Sequence, residues 1–305
     1  MSETSLSDSL YEPVPARLSA TVIVVRQSGG SAAVRNHVPD PQQSSRFPAN
    51  PGDGAHSALP QNDGQESGYE VLLAKRAQTL RVLPGFMVFP GGVLDEEDLD
   101  LARRWLENSS GHLRAQRTLP AVPDDFALNG GSVFARSVTR DELYYGLLAS
   151  AFRELFEETG LRLLDSLSLS LELQNNPGLS LGLPVSHDGA GSARVRYFGR
   201  RVTPLRVRYR FDTHYFAAAV PTDVGQDLQL AEAEFEMAIW ATPQAILRAR
   251  DAGSYLLAPP TVDALTALCS FNSTDTLLRH GVLPPQRDDD SRIDQFIAEM
   301  GKPHR

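Results

Sequence analysis

Four residues near the middle of the chain, Arg153, Glu154, Glu157 and Glu158, have the types and spacing that divalent-metal chemistry uses. They fall in the run Arg153-Glu154-Leu155-Phe156-Glu157-Glu158-Thr159-Gly160-Leu161. On a helix, glutamates at i, i+3 and i+4 project from one face, where like charges repel by roughly 0.2–0.5 kcal/mol per exposed pair. Acidic groups at a helix C-terminus also oppose the macrodipole. A hard cation such as Mg²⁺ or Mn²⁺ prefers oxygen ligands of this kind and would relieve both penalties. The same residues also read as a solvated acidic helix end, and the cluster alone leaves both readings open.

The element that must position them is legible nearby. Thr139-Arg140-Asp141-Glu142 is a capping box, which satisfies two orphan amides and announces a helix N-terminus. Leu143, Leu147, Ala151 and Leu155, with Leu148 and Phe152, form an apolar stripe at helical spacing. Gly160 is a natural residue just past the C-terminus. The pattern predicts a helix of roughly twenty residues that carries the acids at its end and anchors its other face in a core.

The remaining pattern is mixed. Residues 18–26 (LSATVIVVR), 69–76 (YEVLLAKR) and 86–89 read as strands, the first two forming a long-looped hairpin. Residues 27–68 are rich in Gly, Ser, Pro, Asn and Gln and read as a flexible excursion between them. Residues 205–209, 214–220 and 237–240 read as further strands, with Glu232, Glu234 and Glu236 alternating ahead of the last. Helices are expected at 99–106, from Thr242-Pro243 to residue 250, at 262–271 after Pro259-Pro260-Thr261, and at 275–279 and 293–300. Residues 161–173 read as a helical extension, and 175–194 as a loop. The expected organisation is a tail at 1–14, one domain over 15–285, and a C-terminal tail with a short helix over 286–305.

Composition narrows the class. With 305 residues, 41% hydrophobic, 22% charged and a net charge of -9, the chain reads as a soluble globular protein and not as a general nucleic-acid or membrane-surface binder. A single cysteine, Cys269, excludes a disulfide framework and a cysteine-rich zinc ribbon, and fits a reducing compartment. No run approaches a membrane span of about 18–20 apolar residues. The polar N-terminus lacks a signal pattern and the C-terminus lacks a peroxisomal address of the Ser-Lys-Leu type. The expected location is the cytoplasm.

Phe89-Pro90-Gly91-Gly92 together with the acidic run resembles the Nudix hydrolases, whose box is G-x5-E-x7-R-E-U-x-E-E-x-G-U with U aliphatic. The second half matches at every fixed position. The first half is displaced: Gly91 precedes Arg153 by 62 positions where the family has 14, an insertion of 48 residues. Counted back from Arg153, the middle Glu of the box falls near Tyr145 and is absent. A box split in this way resembles the branch of Nudix-type-19 acyl-coenzyme A diphosphatases, as do Arg210-Phe211-Asp212-Thr213, Trp240-x-Thr242-Pro243 and Leu257-x-Pro259-Pro260-Thr261. Upstream, residues 72–92 match the coenzyme A signature L-L-T-x-R-[SA]-x3-R-x3-G-x3-F-P-G-G except for Ala74 in place of Thr. The resemblance spans about residues 15–270.

The resemblance implies an α/β/α sandwich around a mixed β-sheet, with a helical insertion at 96–139 inside the box that lies beside the active site and selects the acyl end. It implies Mg²⁺ or Mn²⁺ held by Glu154, Glu157, Glu158 and the Gly91 carbonyl, with Arg153 pinning a glutamate rather than touching substrate. The general base is Glu158 or a glutamate of the 232–236 run, Glu234 foremost, against the plainer reading of that run as a solvent-facing strand edge. Arg76 and Arg81 are placed to meet the 3′-phosphate or pyrophosphate of coenzyme A, since a guanidinium matches phosphate geometry; the plainer reading is loop charge. His214 is expected to be structural. The implied reaction converts coenzyme A or acyl-coenzyme A and water to (acyl-)4′-phosphopantetheine and adenosine 3′,5′-bisphosphate. Open alternatives are a Nudix hydrolase of ADP-ribose, NADH or dinucleoside polyphosphates, and a non-catalytic Nudix-fold ligand sensor. The implied partner is a small nucleotide, with no nucleic acid or membrane, and a homodimer is left open.

Overall fold

β1 (Arg17–Gln27) is apolar on both faces, as a strand buried between two layers must be. The computed structural model describes residues 15–28, 66–109, 122–124, 126, 138–163, 194–207, 209–225, 228–286, 293–294 and 296–297. The expected excursion at 27–68, most of the insertion beyond residue 109 and both terminal tails lie largely outside these residues. Around β1 the order is β2 (Tyr69–Arg76), β3 (Phe86–Val88), β4 (Gly91–Val93), α1 (Glu96–Ser109), α2 (Arg140–Thr159), β5 (Arg194–Val202), β6 (Phe211–Val220), β7 (Phe235–Ala241), α3 (Pro243–Asp251), β8 (Leu256–Leu257), α4 (Pro259–Leu268) and α5 (Thr274–His280).

The sheet is mixed. β1 runs parallel to β6 from Arg17 to Arg26, and β5 pairs antiparallel outside β6. On its other edge β1 meets β2 only at residues 25–27 and meets β4 at residues 19–21. β2 in turn meets β3 at residues 74–75 on that side and β7 on the other. β1 and β2 therefore part like a fork, and the segment from β3 through Pro90 to β4 fills the gap. The Val22 amide donates to the Pro90 carbonyl at 3.0 Å within it. Pro90 is thus paired backbone at the fork, and Gly91-Gly92 belongs to a strand.

Strand periodicity builds the layers. Leu18, Ala20, Val22 and Val24 face a core shared with Leu99, Ala102 and Trp105 of α1 and Leu147, Ala151 and Leu155 of α2. Ile23 and Val25 face the opposite core, with Ile246 of α3, Leu265 and Leu268 of α4 and Leu277 of α5. Each fully buried aliphatic side chain contributes about 1.5–3 kcal/mol. The result is the α/β/α sandwich around a mixed sheet that the resemblance implies. Among the described residues no helix is long and apolar enough to cross a membrane.

Some elements differ from expectation. Residues 205–207 are turn or bend rather than strand, and the strand lies earlier, at β5. Pro259 and Pro260 form the first turn of α4 instead of preceding it, because proline suits a position whose amide needs no partner. Residues 161–163 do not continue α2.

His214 lies in the core at 2% exposure, its Nδ1 3.0 Å from the Tyr197 hydroxyl. Burial holds its pKa down at about 4. As pH falls below about 6.5 the unfolded chain takes up this proton before the folded protein can, so stability is full above that pH and declines toward pH 4. The shift corresponds to about 3 kcal/mol. Denaturant unfolding should therefore show wild type losing about 3 kcal/mol more than His214→Gln between pH 7.5 and pH 4; equal losses in the two proteins would remove this role.

Candidate functional site

α2 begins as its sequence requires. The Thr139 hydroxyl accepts from the Glu142 amide at 3.2 Å, and the Glu142 carboxylate accepts from the Thr139 amide at 2.6 Å. It ends at Gly160, whose φ of 72° is the left-handed conformation that glycine adopts without strain. Between these caps the apolar stripe is buried, and Glu154, Glu157 and Glu158 lie on the last turns, Glu158 buried.

Arg153 organises two of these acids. Its Nη1 donates to Glu154 at 2.9 Å and to Glu157 at 3.0 Å. Its Nε and Nη2 form a fork on Asp98 at 3.0 and 2.9 Å, and Nη2 also donates to the Val93 carbonyl at 3.2 Å. The Asp98 bonds raise the pKa of Arg153 most, against its partial burial. Arg153 thus joins β4, the start of α1 and the acidic end of α2.

Asp98 is the Arg153 partner that counting from Arg153 misses. It is 3% exposed and also accepts from the Asp95 amide at 3.0 Å, closing the first turn of α1. Tyr145, where that count places the middle acid of the box, lies in the apolar core. Counted forward from Gly92, the acid six positions on is Asp98. On that count the first half of the motif would carry Asp in place of Glu, and the inserted residues would follow Asp98. An insertion destroys spacing across itself but not within either half, so each half has to be counted separately.

Gly91 and Gly92 are needed for close approach. The Gly91 amide donates to Glu158 Oε2 at 3.0 Å, and a Cβ there would strike the backbone of Ala20 and Thr21. A Cβ on Gly92 would fall on the Glu154 carboxylate. Glu158 is 4% exposed. Burial pushes its pKa up to about 9, the Gly91 amide opposes this, and the charges of Glu154 and Glu234 add to it. Burial likewise raises Glu154, with Arg153 opposing.

The turn before β7 docks on the end of α2. The amides of Gln229 and Ala231 donate to the carbonyls of Thr159 and Glu158 at 2.9 and 3.0 Å. Glu232 and Glu234 lie exposed in this turn rather than on a strand, and Glu234 is close enough for its charge to act on Glu158. Glu236 alone of the three is on β7, paired with Lys75 at 2.8 Å. Arg76, at the end of β2, also acts on Glu158 and lies 5.8 Å from the Phe235 ring. Arg81 is exposed on the loop that follows.

Among the described residues no three His, Cys, Asp or Glu side chains already converge as an ion site; Glu154 and Glu157 rest on Arg153, and Glu158 on the Gly91 amide. The donor set nevertheless fits a hard divalent cation. It offers oxygen atoms only, and the buried Glu158 carboxyl needs either a proton or a nearby positive charge to offset its burial.

No family model matches the chain. A Caenorhabditis elegans protein named "Putative nudix hydrolase 7" is 26% identical over 222 residues, covering 69% of this chain and 59% of that protein. The chain thus spans less than two thirds of that relative's length. A crystal structure of a NUDIX hydrolase from Alicyclobacillus acidocaldarius superposes with a TM-score of 0.53 at 24% identity, over 88% of this chain and 98% of that one. The fold is therefore the Nudix fold, and in sequence the chain is similar to a protein named as a Nudix hydrolase.

Proposed function

We propose that this chain is a Nudix diphosphatase that cleaves the pyrophosphate of coenzyme A and acyl-coenzyme A. The observation that carries the reading is the gathering of Gly91, Gly92, Asp98 and the three glutamates of α2 around Arg153 and the Gly91 amide. Glu154, Glu157 and Glu158, with the Gly91 carbonyl, would hold Mg²⁺ or Mn²⁺. Bound there, such an ion neutralises phosphoryl oxygens and acidifies a water.

In the proposed reaction a water oxygen bonds to one phosphorus and the bridging oxygen leaves on the other. The water proton passes to Glu234, exposed beside Glu158, or to Glu158 itself. Arg153 keeps Glu154 and Glu157 aimed and does not touch substrate. Arg76 and Arg81 take the anionic oxygens of the nucleotide.

The coenzyme A preference rests on residues 72–92. Their one departure from the signature, Ala74, is buried in β2 between β3 and β7 and lies off the loop that carries Arg81. The reading includes acyl selection by the insertion that α1 opens and a cytoplasmic location, and it leaves a homodimer open. It is tested by comparing kcat/KM for coenzyme A, acetyl-coenzyme A, ADP-ribose, NADH and diadenosine polyphosphates with Mg²⁺ or Mn²⁺. Coenzyme A and its thioester should lead; preference for a nucleotide without the pantetheine arm would remove the substrate assignment.

A further inference from the structure

The loop from Ala77 to Gly85 contains the one non-glycine residue among those described with a positive φ, Leu83 at 52°. A leucine there is uncommon, because its Cβ crowds the following carbonyl. Pro84 follows it and restricts its backbone further. Such strain persists only where the surroundings over-determine it, and it concentrates at functional sites.

The surroundings here do so. The Gly85 amide donates to the Arg76 carbonyl at 3.0 Å, and the Phe86 amide to the Leu83 carbonyl at 3.2 Å. At the other end the Ala77 amide donates to the Glu234 carbonyl at 2.7 Å and the Gln78 amide to the Glu236 carboxylate at 3.2 Å. The reversal at Leu83 leaves the Val82 carbonyl 3.0 Å from Arg76 Nε, which donates to it. Arg76 is half-buried, with Phe235 along one side. One edge of its guanidinium is therefore fixed by backbone, while its terminal nitrogens remain available to an anion beside the carboxylate cluster.

We propose that Leu83 is a positioning residue: its left-handed backbone holds the Val82 carbonyl on Arg76 and so presents the Arg76 fork to a phosphate of a nucleoside diphosphate. The identity of the anion rests on the diphosphatase reading; the clamp itself does not. The clamp depends on conformation at residue 83 and not on its apolar side chain.

The two dependences rank substitutions differently. Asparagine tolerates the left-handed region, glycine enters it without being confined to it, and valine is nearly excluded from it. Calorimetric titration of the full chain with ADP and Mg²⁺ should give Leu83→Asn an affinity within about twofold of wild type. Leu83→Gly should weaken it about two- to fivefold and Leu83→Val on the order of tenfold. In turnover, KM should follow the same order with kcat unchanged.

An order set by apolarity, with valine best and asparagine worst, overturns the proposal, as does a flat series or a wild type that does not bind ADP. Wild type that binds ADP in this order but cleaves no pyrophosphate removes the diphosphatase reading and leaves the clamp standing. A flat or apolarity-ordered series in an active diphosphatase removes the clamp alone.

Discussion

Glu157→Gln is expected to lower kcat/KM for pyrophosphate cleavage about 10³-fold, the rate equivalent of the several kcal/mol that a metal ligand supplies. The side chain is 55% exposed and pairs with Arg153 at 3.0 Å. Exposed pairs contribute little to stability, so thermal unfolding should move by no more than about 1–2 °C. Glutamine keeps the shape and removes only the charge. The substitution thus separates the two readings that the acidic run left open. A solvated helix end predicts unchanged activity, and full activity in this variant would remove Glu157 from the ion site.

Gly92→Ala should also abolish most activity, by a different route. Gly92 is not in the left-handed region, so alanine is compatible with its backbone. The added methyl falls on the Glu154 carboxylate, which must turn away. Moving a positioned group by about an ångström costs on the order of 10²-fold in rate. Mn²⁺ affinity should fall in parallel while the fold survives. Gly91→Ala provides the contrast: its methyl meets the backbone of Ala20 and Thr21, which cannot rotate aside. That variant should lose stability by about 1–3 kcal/mol as well as activity. Gly92→Ala with wild-type rate and Mn²⁺ affinity would show that Glu154 need not stay where it is.

Much of the site was legible because its signals are local. The capping box at Thr139 and Glu142, the glycine stop at Gly160 and the Thr242-Pro243 start of α3 depend on residues within a turn of one another, and each is observed. β5 was hidden because its sequence, RVRYFGRRV, carries four arginines and a glycine. Its identity as a strand comes from pairing with β6, across a register irregularity between Tyr197 and Gly199, and edge strands tolerate charge. β8 has two residues and exists through its pairing with β3. The fork between β1 and β2 could not be read either, since it depends on which residues stop pairing. Asp98 was readable, but only by counting forward from Gly92. The closeness of Glu234 to Glu158 depends on amides of the 229–231 segment docking on carbonyls of α2, a contact between segments some 70 residues apart that no local pattern encodes.

The most direct test of the account is product analysis of coenzyme A incubated with the full chain, with and without Mg²⁺ or Mn²⁺. 4′-Phosphopantetheine and adenosine 3′,5′-bisphosphate should form in equal amounts, and only when the metal is present. Intact coenzyme A under all conditions, cleavage at another bond, or the same rate after chelation of the metal would contradict it.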